Sequence, residues 1–131
     1  MSDADRELQR KLLGRIGEAA AIRALRQAGY RILETNAIYT GGEIDIIAEH
    51  NDVVVFVEVK TRSPRAWGEP EAAVDEAKQA RIVRAGQNYL AQFGRQPLTR
   101  FDIVAVRTDG HNRVESVRII PGAFEIPDWR T

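Results

Sequence analysis

An α/β fold, with helices packed on a mixed sheet, is what this sequence predicts, and three observations carry that reading. The run Val53 to Thr61 is the most strand-like in the chain, and Gly42 to Glu49 before it is strand-like as well. Helical spacing of apolar residues occurs once before these runs and once after them. Two further apolar runs close the chain, so the order is helix, three strands, helix, two strands, which suits helices covering a sheet.

The first helix is expected within Asp5 to Ala28, where Leu8, Leu12, Ile16 and Ala19 recur at helical spacing and Gly29 is a natural stop. Gly14 and Gly17 each weaken it by about 1 kcal/mol relative to alanine, which favours a later start. Tyr30 to Asn36 reads as a short strand. Gly42 to Glu49 and Val53 to Thr61, joined by the polar link His50-Asn51-Asp52, read as a hairpin. Ser63 to Pro70 contains Pro64, Gly68 and Pro70 and reads as a loop. The second helix is expected from Asp75 to Phe93, with Ile82, Tyr89, Leu90 and Phe93 on one face, Asp75 capping its start and Gly94 ending it. Phe101 to Arg107 and Val117 to Ile120 complete the strands.

A chain of 131 residues suits one domain. It has no cysteine, which excludes disulfides and thiolate metal sites. Residues 1–11 lack the apolar stretch of a signal peptide, and no apolar run approaches a membrane span. The expectation is a cytoplasmic protein without a membrane partner. Its 19 basic and 19 acidic residues balance, against a protein that coats nucleic acid non-specifically but not against an enzyme acting on it.

The chemistry concentrates on two neighbouring strands. Along Val53 to Lys60 side chains alternate, so Val53, Val55, Val57 and Val59 share one face and Val54, Phe56, Glu58 and Lys60 the other. An apolar run of this kind belongs to a strand buried on both faces, where charges such as Glu58 and Lys60 are costly without compensation. On the preceding strand Asp45 shares its face with Glu43 and Ile47, and a suitable hairpin register would bring it to Glu58. Two carboxylates about 4 Å apart repel by roughly 4 kcal/mol at an effective dielectric of 20. A divalent cation reverses that repulsion, and oxygen ligands suit Mg²⁺ or Mn²⁺. In the pattern Asp-(x12)-Glu-x-Lys, Asp45 and Glu58 would ligate the cation. Lys60 would stabilise charge on a scissile phosphate or help orient and deprotonate the attacking water. The implied reaction is phosphodiester hydrolysis.

The runs Gly42-Glu43-Ile44-Asp45-Ile46-Ile47 and Val57-Glu58-Val59-Lys60-Thr61-Arg62 resemble the PD-(D/E)XK nuclease superfamily and, more closely, the YraN-like family of small bacterial proteins. Matching positions also include Gly17-Glu18, Gly29 to Leu33, Asn36, Lys78, Tyr89-Leu90, Arg100 to Val106 and Ala123-Phe124. Ile44 stands where the superfamily's name has proline. The resemblance spans about residues 14–124 and implies a restriction-endonuclease-like core. It implies catalytic roles for Asp45, Glu58 and Lys60, the Val59 backbone carbonyl as a further metal ligand, and a site role for Glu18. Its likeness to Holliday junction resolvases implies DNA as the substrate, with branched DNA among the candidates. A homodimer would suit symmetric junctions, although no dimer face is evident in the sequence.

Plainer readings stand beside these. Glu58 and Lys60 could be an exposed pair, Asp45 a solvated acid and Glu18 an ordinary helical glutamate. Glu43 could be an acid near the site or a strand-start residue. Lys78 and Gln79, opening the second helix, could touch a phosphate, orient Lys60 or simply be solvated; Arg62, Arg65 and Trp67 could contact backbone phosphates or stack a base, or form a plain surface loop. Asp102 reads as structural, and His50 and His111 receive no role. The alternative to an endonuclease is a nucleic-acid-binding module of the same fold with weak or no catalysis. A third reading is a structural or interaction domain in which Glu58 and Lys60 stabilise the fold.

Overall fold

The computed structural model describes residues 1–64, 74–93 and 97–124. Helix α1 (Asp3–Gln27) leads into strands β1 (Arg31–Tyr39), β2 (Gly42–His50) and β3 (Val53–Arg62). Helix α2 (Glu76–Leu90) and strands β4 (Thr99–Thr108) and β5 (Val114–Ile120) follow. The expected order of elements is therefore observed. Gly94, and Arg65, Trp67, Gly68 and Pro70 of the expected loop, lie outside the described residues.

The five strands form one sheet in chain order, β1-β2-β3-β4-β5. Only β3 and β4 run parallel. A parallel neighbour requires a crossover, and α2 lies in the segment that makes it. The β2–β3 hairpin closes on Asn51 and Asp52, at φ 51° and 64°, between the paired residues His50 and Val53. Positive φ at both central residues is the two-residue turn that matches strand twist, and Asn and Asp tolerate it.

Helix α1 begins earlier than expected. Ser2 caps it by accepting a hydrogen bond from the Asp5 backbone N–H at 3.1 Å, and the Asp5 carboxylate accepts in return from the Ser2 N–H. Gly29, at φ 90°, ends the helix; its N–H donates to Arg26 and that of Tyr30 to Leu25. The face expected from Leu8, Leu12, Ile16 and Ala19 is not the buried one. Leu8, Leu12 and Ala19 are exposed, whereas Gly17, Ala21 and Leu25 are buried. Residues 1–12 are exposed throughout, so the early leucines gain nothing from the sheet. Contact is made further along the helix by small residues, which permit close approach.

Both faces of the sheet are covered. Val54, Phe56, Ile47, Phe101 and Ile103 pack with Ile82, Ala85, Tyr89 and Leu90 of α2. Ile46, Ala48, Val55, Val57, Val104 and Val106 pack with Ala21 and Leu25 of α1. This is the alternation expected of β3. Phe93 departs from expectation: α2 ends at Leu90, and Phe93 is exposed beyond it, its ring 5.4 Å from that of Tyr89.

Asp102 is fully buried beneath a polar network. It accepts hydrogen bonds from Tyr30 Oη at 2.7 Å, from Arg100 Nε and Nη2 at 2.8 and 3.0 Å, and from the Gly122 N–H at 3.0 Å. His50 stacks on Tyr30 with ring centroids 4.1 Å apart and lies 3.2 Å from Arg100 Nη2. Four donors offset the cost of burying this carboxylate. His111 lies in the turn beyond β4, where its backbone N–H donates to Asp109.

Candidate active site

The site forms where β2 and β3 stop pairing. Their ladder runs from His50–Val53 to Ile46–Val57, and the next step in that register would set Asp45 opposite Glu58. There the Val59 N–H donates instead to Asp45 Oδ2, at 2.8 Å. In an extended strand the N–H and C=O of one residue point to the same edge. The Val59 carbonyl therefore shares the edge that meets Asp45.

Strict alternation also fails at this point. Ile44 packs in the same cluster as Ile47, while Ile46 packs on the opposite face. The pleat is thus interrupted around Asp45, and the regular face expected for Glu43, Asp45 and Ile47 does not describe the whole strand. On β1 the matching step in register is Asn36, at φ 50°. Asn is among the few residues that adopt this left-handed conformation readily.

Glu58 is 6% exposed on the α2 face. Lys78 Nζ makes a close ion pair with its Oε1, and Lys60 Nζ stands 3.6 Å from the same oxygen. Lys78 is delivered by the first turn of α2, where its backbone N–H donates to the capping Asp75 at 2.8 Å. Burial and the neighbouring Lys78 hold the Lys60 ammonium below its ordinary pKa. Burial works against charge on Lys78, but Glu58, with Lys60 and Asp45 adding to it, outweighs burial and the pKa of Lys78 is raised. Asp45 is pushed up to about 7, chiefly by burial and next by the Glu58 charge, against the lowering effect of the Val59 N–H. Its environment stores the carboxylate repulsion that the spacing implied.

Glu18 reaches the site because Gly17 lets α1 approach β3. A Cβ at Gly17 would fall 1.7 Å from Thr61 Oγ1. That contact accounts for a glycine where helix propensity disfavours one. Glu18 is hydrogen-bonded to Asn36, and its pKa is raised by burial and by Glu43 and Glu58. Asp45, Glu58, Lys60, Glu18, Val59 and Lys78 line one open cleft of about 520 Å³.

Five cleft-lining residues carry no site role in the sequence reading: Lys11, Gly14, Arg15, Asn36 and Thr61. Lys11, Arg15 and Glu18 follow i, i+4, i+7 spacing, a signal available in the sequence but overshadowed by the leucines. Arg62 and Gln79 are not among the cleft-lining residues. The Gln79 side-chain amide donates to the Val74 carbonyl at 2.9 Å, and Arg62 lies at the end of β3, two residues beyond Lys60. Glu43 is exposed at the start of β2.

Three carboxylates and a backbone carbonyl form an oxygen donor set suited in chemistry to a hard divalent cation. Among the described residues, no three acidic or histidine side chains already stand in ligating geometry. Glu58 Oε1 is paired with Lys78.

Residues 17–106 match the family described as Uncharacterised protein family UPF0102. A UPF0102 protein of Moorella thermoacetica is 45% identical over 118 residues, covering 89% of this chain and 98% of the relative. One from Syntrophotalea carbinolica is 45% identical over 122 residues, covering 92% and 98%. A third, from Myxococcus xanthus, is 42% identical over 118 residues, covering 89% and 92%. The matched span runs from Gly17, through both strands of the cleft and α2, to Val106, and the chain belongs to the UPF0102 family, the YraN-like group that its motifs resemble.

Proposed function

We propose that this chain is a metal-dependent endonuclease domain with a restriction-endonuclease-like core of the PD-(D/E)XK type, acting on nucleic acid and preferentially on DNA. The observation that carries the reading is the meeting of Asp45 and Glu58 with Lys60 at the open end of the β2–β3 hairpin. Structural acids are normally paired, as Asp102 is with Arg100. Asp45 instead has one backbone donor and a neighbouring like charge, with Lys78 acting on it only as a lesser counter-charge and, among the described residues, no ion pair of its own.

Asp45, Glu58 and the Val59 carbonyl would hold Mg²⁺ or Mn²⁺, with Glu18 at the margin of the donor set. The bound ion would supply phosphate polarisation and water activation. Lys60, two residues from Glu58 on the same face, stabilises charge at the scissile phosphate or helps orient and deprotonate the attacking water. Lys11 and Arg15 offer cationic groups to flanking phosphates at the α1 wall of the cleft. Incubation of the purified protein with plasmid, linear and junction DNA in Mg²⁺ or Mn²⁺ tests the reading. Cleavage abolished by Glu58→Ala supports it; no cleavage of any substrate, or equal cleavage by the variant, refutes it.

The close Lys78–Glu58 pair favours a second reading, a nucleic-acid-binding module of the same fold in which the acids are neutralised internally. DNA binding that needs no metal and survives Asp45→Asn would support that reading over the enzyme.

A further inference from the structure

The paired acids of the cleft already have a cationic partner. Lys78 makes the closest contact to Glu58, while Lys60 lies 3.6 Å from the same oxygen. With Lys11 and Arg15 also lining the cleft, four formal positive charges already face the three carboxylates Asp45, Glu58 and Glu18. Adding a doubly charged ion would leave excess positive charge in a partly buried space. One ammonium must then move away, or the ion binds weakly.

The two lysines are not equally free to leave. Lys60 is held on β3, which pairs with β4 through Lys60–Ala105 and on to Arg62–Arg107. Lys78 comes from the first turn of α2, and its side chain is 31% exposed against 21% for Lys60. Its backbone is fixed by the Asp75 cap while four methylenes carry its ammonium. Lys78 can therefore swing its charge toward the cleft mouth without disturbing the helix.

We propose that Lys78 is the resident counter-cation of the carboxylate pair and yields Glu58 to a divalent cation, so that it sets the threshold for metal loading. This rests on the metal-dependent reading above. Lys78 is a positioning residue in this scheme: it holds Glu58 in place in the metal-free protein and lowers affinity for the ion that replaces it. Once released, its ammonium remains tethered at the cleft wall, where a phosphate could receive it.

Mn²⁺ titration without nucleic acid, followed by electron paramagnetic resonance, tests the proposal on wild type, Lys78→Met and Lys78→Arg. Lys78→Met should bind Mn²⁺ about tenfold more tightly than wild type, equivalent to ~1.4 kcal/mol. Lys78→Arg, which keeps the charge, should stay near wild type. In wild-type protein, acylation of Lys78 by an amine-reactive ester, read by peptide mass mapping, should accelerate several-fold at saturating Mn²⁺. This second measurement needs no variant to fold. Equal Mn²⁺ affinity in wild type and Lys78→Met, or unchanged acylation with Mn²⁺ bound, would overturn the role of Lys78 alone. No Mn²⁺ binding by any of the proteins would overturn the metal-dependent reading and this proposal with it.

Discussion

Asp45→Asn should stabilise the metal-free protein at alkaline pH. The native environment raises Asp45 to about 7, through burial first and Glu58 second. An unfolded aspartate titrates near 3.9, and a rise from there to about 7 corresponds to about 4 kcal/mol at 1.36 kcal/mol per pH unit. The native state keeps its proton to higher pH than the unfolded chain, so the protonated form favours folding. That advantage is full below about pH 4 and is lost as pH rises through about 7. Asparagine removes the charge, while its carbonyl oxygen can still accept the Val59 N–H. Because Asp45 and Glu58 share their repulsion, about 4 kcal/mol is a ceiling, and a gain of about 2 kcal/mol at pH 8 is expected. Urea unfolding followed by far-ultraviolet circular dichroism, in chelator from pH 4 to 8, measures the difference between the two proteins. The advantage of the variant should grow with pH. A variant less stable than wild type at pH 8, or a difference that does not change with pH, would refute the reasoning.

Other substitutions should behave differently. Glu58→Gln removes the partner of Lys78 and Lys60 and should cost about 1–3 kcal/mol in the same metal-free assay, less than a wholly buried pair because both lysines keep some solvent. Gly17→Ala gains helix propensity but meets Thr61, and should lower stability by about 1–3 kcal/mol in urea melts while weakening any Mn²⁺ binding through displacement of Glu18. Asp102→Ala leaves the Arg100 guanidinium and Tyr30 hydroxyl without their buried acceptor and should cost about 3–5 kcal/mol by thermal or urea unfolding. Saturating Mn²⁺ at a hundredfold its dissociation constant should stabilise wild type by about 2.7 kcal/mol, an effect that Asp45→Asn should diminish in calorimetry.

The sheet was legible because its signals are local. Alternating valines identify β3, and the polar link after β2 identifies the hairpin whose turn is Asn51-Asp52. Element ends were less legible. Residues 37–39 extend β1 beyond Asn36, whose positive φ interrupts regular strand geometry without ending its pairing. The buried stripe of α1 was misjudged because large leucines outweigh Gly17 and Ala21 in a periodicity argument. Close packing at Thr61 needs a small residue, and that need comes from a partner distant in sequence.

Asp45, Glu58 and Lys60 were legible as a spacing, and the hairpin register brings the two acids to adjacent strands. The Lys78 ion pair was not legible, since it depends on where the crossover returns α2 over the sheet. The shared helical stripe of Lys11, Arg15 and Glu18 is present in the sequence, but its placement on the cleft wall depends on how α1 crosses the sheet. No helix among the described residues is long and apolar enough to cross a membrane.

The meeting of Asp45 and Glu58 on one cation is tested most directly by an anomalous difference map from crystals soaked in Mn²⁺. The account expects a peak within about 2.2 Å of oxygens from both carboxylates, a distance typical of small divalent ions, with Lys78 withdrawn from Glu58. A fully soaked crystal with no peak between the two acids, and Lys78 still seated on Glu58, would contradict it.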